Sequence, residues 1–128
     1  MRVLLDTHAF LWWLDGDRRL SRRARTIIGR PESEVYLSAA SAWEITTKAR
    51  LGRLPGAADV AADVAGAAIG QGFLPLDINL VHAQRAGSLP RHHHDPWDRM
   101  LIAQAQTKGL AVVSNEAIFD AYGISRVW

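Results

Sequence analysis

Short apolar runs alternate with segments of helical period along the whole chain, and that alternation leaves few architectures open. Arg2–Leu5, Glu34–Ser38 and Leu110–Val113 read as strands, and Arg126–Trp128 reads as a last one. Phe73–Leu76 reads as a short edge strand, because Pro75 has no N–H to give a central ladder. Helical patterns fall at His8–Leu14, Ser21–Ile28, Ser41–Arg50, Ala57–Ile69 and Asn79–Ala86, with Gly87 past the end of the last. A short helix is expected over residues 117–122. Asp95-Pro96-Trp97-Asp98 opens a further helix that runs to Lys108. Asp95 is its N-cap, proline its first residue, Asp98 an acid in its first turn, and Gly109 its stop. Strands joined through helices pair in parallel and need both sheet faces covered, so the chain reads as a single α/β domain over residues 1–128.

The chain is 48% hydrophobic, enough for a sizeable core, and contains no cysteine. Disulfides, thiolate metal sites and cysteine nucleophiles are therefore excluded. No apolar run approaches the ~18 residues of a membrane span, and the apolar start is broken by Asp6, so a cytoplasmic protein with no membrane contact is expected. Net charge is only +2, but Arg18, Arg19, Arg22, Arg23, Arg25 and Arg30 crowd one stretch. Such a run is a solvated helix face unless a site lies beside it. In the second case Arg22, Arg23 and Arg25 are the candidates for contact with a nucleic acid.

In open α/β sheets, sites form beyond the carboxyl ends of the strands. Asp6 directly follows the first strand, Glu44 lies early in the helix after the second, and Glu116 follows the Leu110–Val113 strand. Asp98 opens its own helix, so these four acids are expected on one rim. Glu44 stands three residues after Ser41, the spacing of a capping box, so a structural reading stands beside the site reading. Asp95 and Asp98 have a similar alternative as helix cap and dipole partner. Asp6 has no sequence neighbour to neutralise it. Clustered carboxylates repel one another, and oxygen-only ligands suit Mg²⁺ or Mn²⁺ rather than zinc.

His92-His93-His94 invites a zinc reading, but consecutive loop histidines cannot all face one ion, and the i, i+4 spacing of a helical zinc site is absent. The tract reads as solvent-exposed, with a substrate contact left open by its place before Asp95. The five tryptophans read as core or interface residues. There is no phosphate-binding Gly-rich loop, no dinucleotide fingerprint, no second acid after Asp6 for an aspartyl-phosphate mechanism and no nucleophile elbow.

Four segments, Leu4-Leu5-Asp6-Thr7-His8, Leu37–Ile45, His93–Arg99 and Val113–Glu116 with Phe119–Gly123, occur in an order that resembles the PIN-domain ribonucleases, in particular VapC-type toxins of toxin–antitoxin pairs. The resemblance implies a three-layer α/β/α sandwich around a mainly parallel sheet. It also implies that Asp6, Glu44 and Asp98 hold Mg²⁺, with Mn²⁺ as a substitute, and that Thr7, Ser114 and Asp95 support the site. Glu116 falls where the family usually has aspartate, which points to a ligand acting through water. The implied activity is Mg²⁺-dependent hydrolysis of RNA, with a protein antitoxin as partner and a homodimer as assembly. Two other readings remain at this stage: a non-catalytic RNA- or protein-binding PIN module, and a metal-dependent phosphatase.

Overall fold

In the computed structural model, which describes residues 1–128 throughout, strand β1 (Arg2–Leu5) has both faces buried. Val3 and Leu5 enter one hydrophobic core and Leu4 enters a second, as the two-residue period of a strand requires. A strand with no wet face belongs at the centre of a sheet. Accordingly β2 (Glu34–Ser38) and β4 (Ala111–Val113) flank it, both parallel to it. β3 (Leu74–Leu76) and β5 (Arg126–Val127) form the edges, giving the order β3-β2-β1-β4-β5. Pro75 is tolerated because β3 pairs on one side only.

Helices cover both faces. On one, α1 (Thr7–Asp15), α2 (Arg22–Gly29) and α5 (Val64–Gly70) bury Phe10, Ile27, Ile28 and Val64, with α4 (Ala58–Ala62) packed alongside. On the other, α6 (Leu80–Ser88), α7 (Pro96–Lys108) and a 3₁₀ turn (Ala117–Tyr122) bury Ala86, Leu101, Ile102 and Phe119. α3 (Ala39–Arg50) bridges the two, with Ile45 in the first core and Ala40 in the second. The result is the expected three-layer α/β/α sandwich. No helix is long and apolar enough to cross a membrane.

Most ends match the sequence reading or shift by a residue, and four differences stand out. α3 begins at Ala39 because Ser38, the last residue of β2, caps it by accepting from the Ala40 N–H (3.0 Å). Ser41 is therefore inside the helix, Glu44 lies beyond its first turn, and the capping box expected there does not form. The segment Ala57–Ile69 is two helices, because the Asp63 carboxylate accepts from the Gly66 N–H (2.9 Å) and starts a second helix in the middle of the run. α6 continues through Gly87 to Ser88, and Leu89 beyond it is buried in the second core. β4 begins at Ala111 rather than Leu110.

Candidate active site

The sheet order places a switch point beside β1. β1, β2 and β3 step outward to one side, and the chain then returns to lay β4 on the other side of β1. The two connections diverge at this seam and open a crevice at the carboxyl ends of the strands. Asp6 and Ser114 flank it. The Asp6 N–H donates to Val113 O (3.1 Å) and the Ser114 N–H to Val127 O (3.2 Å), so both residues are held by the sheet itself.

Each acid reaches the rim in a different electrostatic state. Asp6 caps α1 through the Ala9 N–H (2.7 Å) and is only 4% exposed. Burial pushes its carboxyl up to about 6, against the lowering pull of the Ser114 hydroxyl, the Ala9 N–H and His8, with Glu116 adding to the rise. Asp98, on the first turn of α7, is pushed up to about 8 by burial and by the surrounding acids Asp95, Glu116, Glu44 and Asp6. Asp95 accepts from the Asp98 N–H (3.0 Å) and so fixes the start of that helix.

Glu44 is compensated where Asp6 and Asp98 are not. The Thr7 hydroxyl donates to its Oε1 (2.5 Å) and stands 3.1 Å from Ser41 Oγ, while Lys48, one turn along α3, pairs with its Oε2. Thr7 thereby links the start of α1 to α3. Ser38 and Gln104 add a second brace between the site helices, since Ser38 Oγ donates to Gln104 Oε1 (2.6 Å) and Gln104 lies on α7. The Ser114 hydroxyl accepts from the Glu116 N–H (3.0 Å), so it supports the segment that carries Glu116.

His93, Asp98 and Glu116 each present a ligand-type atom, all within 4.8 Å of one another. His93 Nε2 stands 2.9 Å from Asp98 Oδ2 and 3.6 Å from Glu116 Oε2. Sequence reasoning passed over His93 by treating the three histidines alike. Its neighbours His92 and His94 are exposed, and only His93 turns inward. Nothing local to the tract distinguishes it, because the groups that turn it come from Arg99 and Tyr122.

The structure thus brings Asp6, Glu44, Asp95, Asp98, Ser114, Thr7 and Glu116 to one end of the sheet. It does not bring the arginines there. Arg22 and Arg23 line a hollow with Met1, at the amino end of β1 and roughly 13 Å of strand away from Asp6. Arg25 is occupied in donating to Asp17 O (3.1 Å) and Leu20 O (2.9 Å).

A divalent cation fits this donor set. Asp6 is buried and Asp98 partly buried, both are raised by burial and by neighbouring acids, and neither has a lysine or arginine partner. Hard oxygen donors carrying uncompensated charge are what Mg²⁺ or Mn²⁺ neutralises.

Comparison with protein-family models matches the PIN domain over residues 3–124. The chain belongs to the PIN-domain family. Among solved structures it is similar to VapBC2 from Rickettsia felis bound to a promoter DNA fragment (TM-score 0.69, 10% identity, 98% of this chain and 97% of that one). It is also similar to the sarcin–ricin-loop-cleaving toxin VapC20 of Mycobacterium tuberculosis (TM-score 0.66, 21% identity, 95% of each chain). A third similar structure is FitAcB from Neisseria gonorrhoeae (TM-score 0.58, 21% identity, 97% of this chain and 95% of that one). No curated protein matches the chain.

Proposed function

We propose that this protein is a Mg²⁺-dependent endoribonuclease acting as the toxin of a toxin–antitoxin pair in the cytoplasm. The observation that carries the reading is the pair of raised carboxylates without a lysine or arginine partner, buried Asp6 and partly buried Asp98, at the switch point of a PIN-family sheet. Asp6, Asp98 and Glu44 would hold the cation, and Glu116 would act on it through water. When bound, the cation polarises a phosphoryl oxygen and lowers the pKa of a water.

The remaining chemistry falls to the chain. Glu44 orients the attacking water or takes its proton. Thr7 fixes the Glu44 carboxylate through Oε1, and Lys48, already paired with Oε2, supplies a cation for the phosphate. Asp95 keeps Asp98 at the head of α7, and Ser114 keeps Asp6 and Glu116 in register. The toxin assignment draws on the likeness to toxin–antitoxin structures, which also supports a protein antitoxin as partner; a second copy of the chain is part of the same reading. The test is a pulse of expression without antitoxin followed by mapping of RNA 5′ ends. New ends at defined sites that vanish with Asp98→Asn support the reading, and an RNA population without new ends contradicts it.

Glu116 gives a graded prediction. Its side chain is 39% exposed, against 15% for Asp98, and it is one methylene longer than the aspartate usual in the family. Mg²⁺ requires near-ideal octahedral geometry, which a bridging water satisfies without moving the Ser114-Asn115 backbone. Glu116→Gln is expected to weaken metal-dependent cleavage ~10–100-fold, clearly less than Asp98→Asn, and Glu116→Asp to be tolerated. Metal titrations of cleavage on the three variants decide it, and Glu116→Gln as inactive as Asp98→Asn would make Glu116 a direct ligand.

Substrate length gives another. Because Arg22 and Arg23 sit at the far end of β1, they reach only an RNA long enough to wrap from the acidic rim to Met1. Replacing both with alanine is expected to flatten the salt dependence of binding by long RNA and to leave cleavage of a tetranucleotide unchanged. An unchanged slope on long RNA would return this stretch to a solvated helix face.

A further inference from the structure

The loop between α6 and α7 is pinned by two side chains that the proposed chemistry does not use. The Arg99 guanidinium donates to four carbonyls, those of Ala86 (2.9 Å), Leu89 (2.8 Å), Pro90 (3.0 Å) and His93 (3.1 Å). The Tyr122 hydroxyl donates to Pro90 O (2.7 Å) and accepts from the His93 N–H (2.8 Å). The result of this anchoring is the orientation of one ring. The His93 side chain is 16% exposed and packs edge-on against Phe119, with its centroid 6.1 Å away.

The ring's tautomer is set as well. His93 Nδ1 accepts from the Asp95 N–H (3.3 Å), which leaves the proton of the neutral imidazole on Nε2. That Nε2–H points into the acidic crevice, near Asp98 Oδ2 and Glu116 Oε2, yet neither contact is aligned as a hydrogen bond, and the atom has no solvent contact. It is a buried donor without an acceptor, held in place from outside the site. Buried donors in folded proteins are usually matched, so this one, at the acidic rim, is available to an oxygen supplied by a ligand.

We propose that His93 Nε2–H donates to a non-bridging oxygen of the scissile phosphate, which makes His93 a substrate-contacting residue of the site. This rests on the nuclease reading above. A phosphodiester approaching Asp6, Asp98 and Glu116 meets repulsion, and its non-bridging oxygens accept hydrogen bonds but donate none. A donor whose ring is fixed beforehand by Arg99, Tyr122 and Asp95 needs only that the Asp98 and Glu116 carboxylates now covering it move aside to meet the charge that grows there. Ligation of the cation by His93 would require a free Nε2 lone pair, and the Asp95 N–H on Nδ1 places a proton there instead.

The test compares His93→Gln with His93→Leu in the full-length chain, on a short RNA, with Mn²⁺ binding to the RNA-free protein measured by calorimetry. Glutamine places an amide N–H near the position of Nε2, whereas leucine fills space without a donor. His93→Leu is expected to lose ~10²–10³-fold in kcat/KM, the cost of removing one fixed donor to developing charge. His93→Gln is expected to recover most of that loss, and Mn²⁺ affinity to match wild type in both. A fully active His93→Leu overturns the proposal. So does a ~10–100-fold loss of Mn²⁺ affinity in either variant, which would make His93 act on the cation. Should His93→Leu not fold, His93→Gln decides alone: intact Mn²⁺ binding with cleavage as weak as a donorless site overturns the proposal. A wild-type protein that cleaves no RNA contradicts the nuclease reading and removes the basis of this one. A cleaving wild type beside an equally active His93→Leu removes only the role of His93.

Discussion

Metal-free protein should melt at a lower temperature at pH 8 than at pH 5. The folded state holds the Asp6 carboxyl at about 6 and that of Asp98 at about 8, both above the ordinary value of 3.8, chiefly through burial. For a raised acid the folded state binds its proton more tightly than the unfolded state does. The resulting stability is fully present below about pH 4 and is lost as pH climbs through the folded values. At 1.36 kcal/mol per unit, the rise at Asp6 alone corresponds to about 3 kcal/mol, and Asp98 adds to it. A fall of roughly 10 °C is expected between pH 5 and pH 8 in the presence of a chelator. Millimolar Mg²⁺ or Mn²⁺ should restore much of it at pH 8, because the cation binds the folded rim and not the unfolded chain. Asp98→Asn should melt higher than wild type in chelator at pH 8 and respond less to the cation. A metal-free melting temperature indifferent to pH would mean that the two carboxylates are already compensated.

The same substitutions should abolish cleavage. Asp98→Asn and Asp6→Asn each remove a charge and almost no volume, so the fold survives while the cation loses an anchor. The loss should exceed the ~10–100-fold typical of a residue one step removed from a metal. Glu44→Gln differs in an instructive way, since Lys48 and Thr7 already hold Glu44, and removing its charge leaves the partly buried Lys48 ammonium without its partner. Circular dichroism beside a cleavage assay separates the cases. Folded, inactive Asp6 and Asp98 variants are expected, and near-normal cleavage by either would remove that residue from the site.

How much of this was legible before the fold depends on whether the deciding contacts are local. β1 and β2 were readable to the residue, because an apolar run bounded by polar residues needs no distant partner to define it. The start of α7 was equally plain, since Asp95, Pro96 and Asp98 carry the cap among themselves. The start of α3 was misplaced because Ser38 and Ser41 are both good caps, and only the end of the β2 ladder chooses between them. The break at Asp63 was hidden by an alanine-rich pattern that reads as one continuous helix. The acids at the rim followed from the rule that sites gather at the carboxyl ends of strands. Their unequal states did not follow, because Lys48 neutralises Glu44 across one helical turn while Asp98 collects the repulsion of four acids from separate segments. His93 was the least legible: Tyr122, which turns its loop, lies 29 residues away in sequence. The arginine stretch was clear as a charge run, but its distance from the acids depends on the course of α2, which brings Arg22 and Arg23 beside Met1.

The most direct measurement is cleavage of a defined RNA by the purified full-length chain as Mn²⁺ or Mg²⁺ is titrated from chelator to millimolar, with Asp98→Asn run in parallel. Cleavage that is absent in chelator, rises to saturation with the cation and fails at every concentration in Asp98→Asn is the predicted result. Cleavage that persists in chelator, or that Asp98→Asn shares, would contradict a carboxylate-bound cation as the basis of the activity.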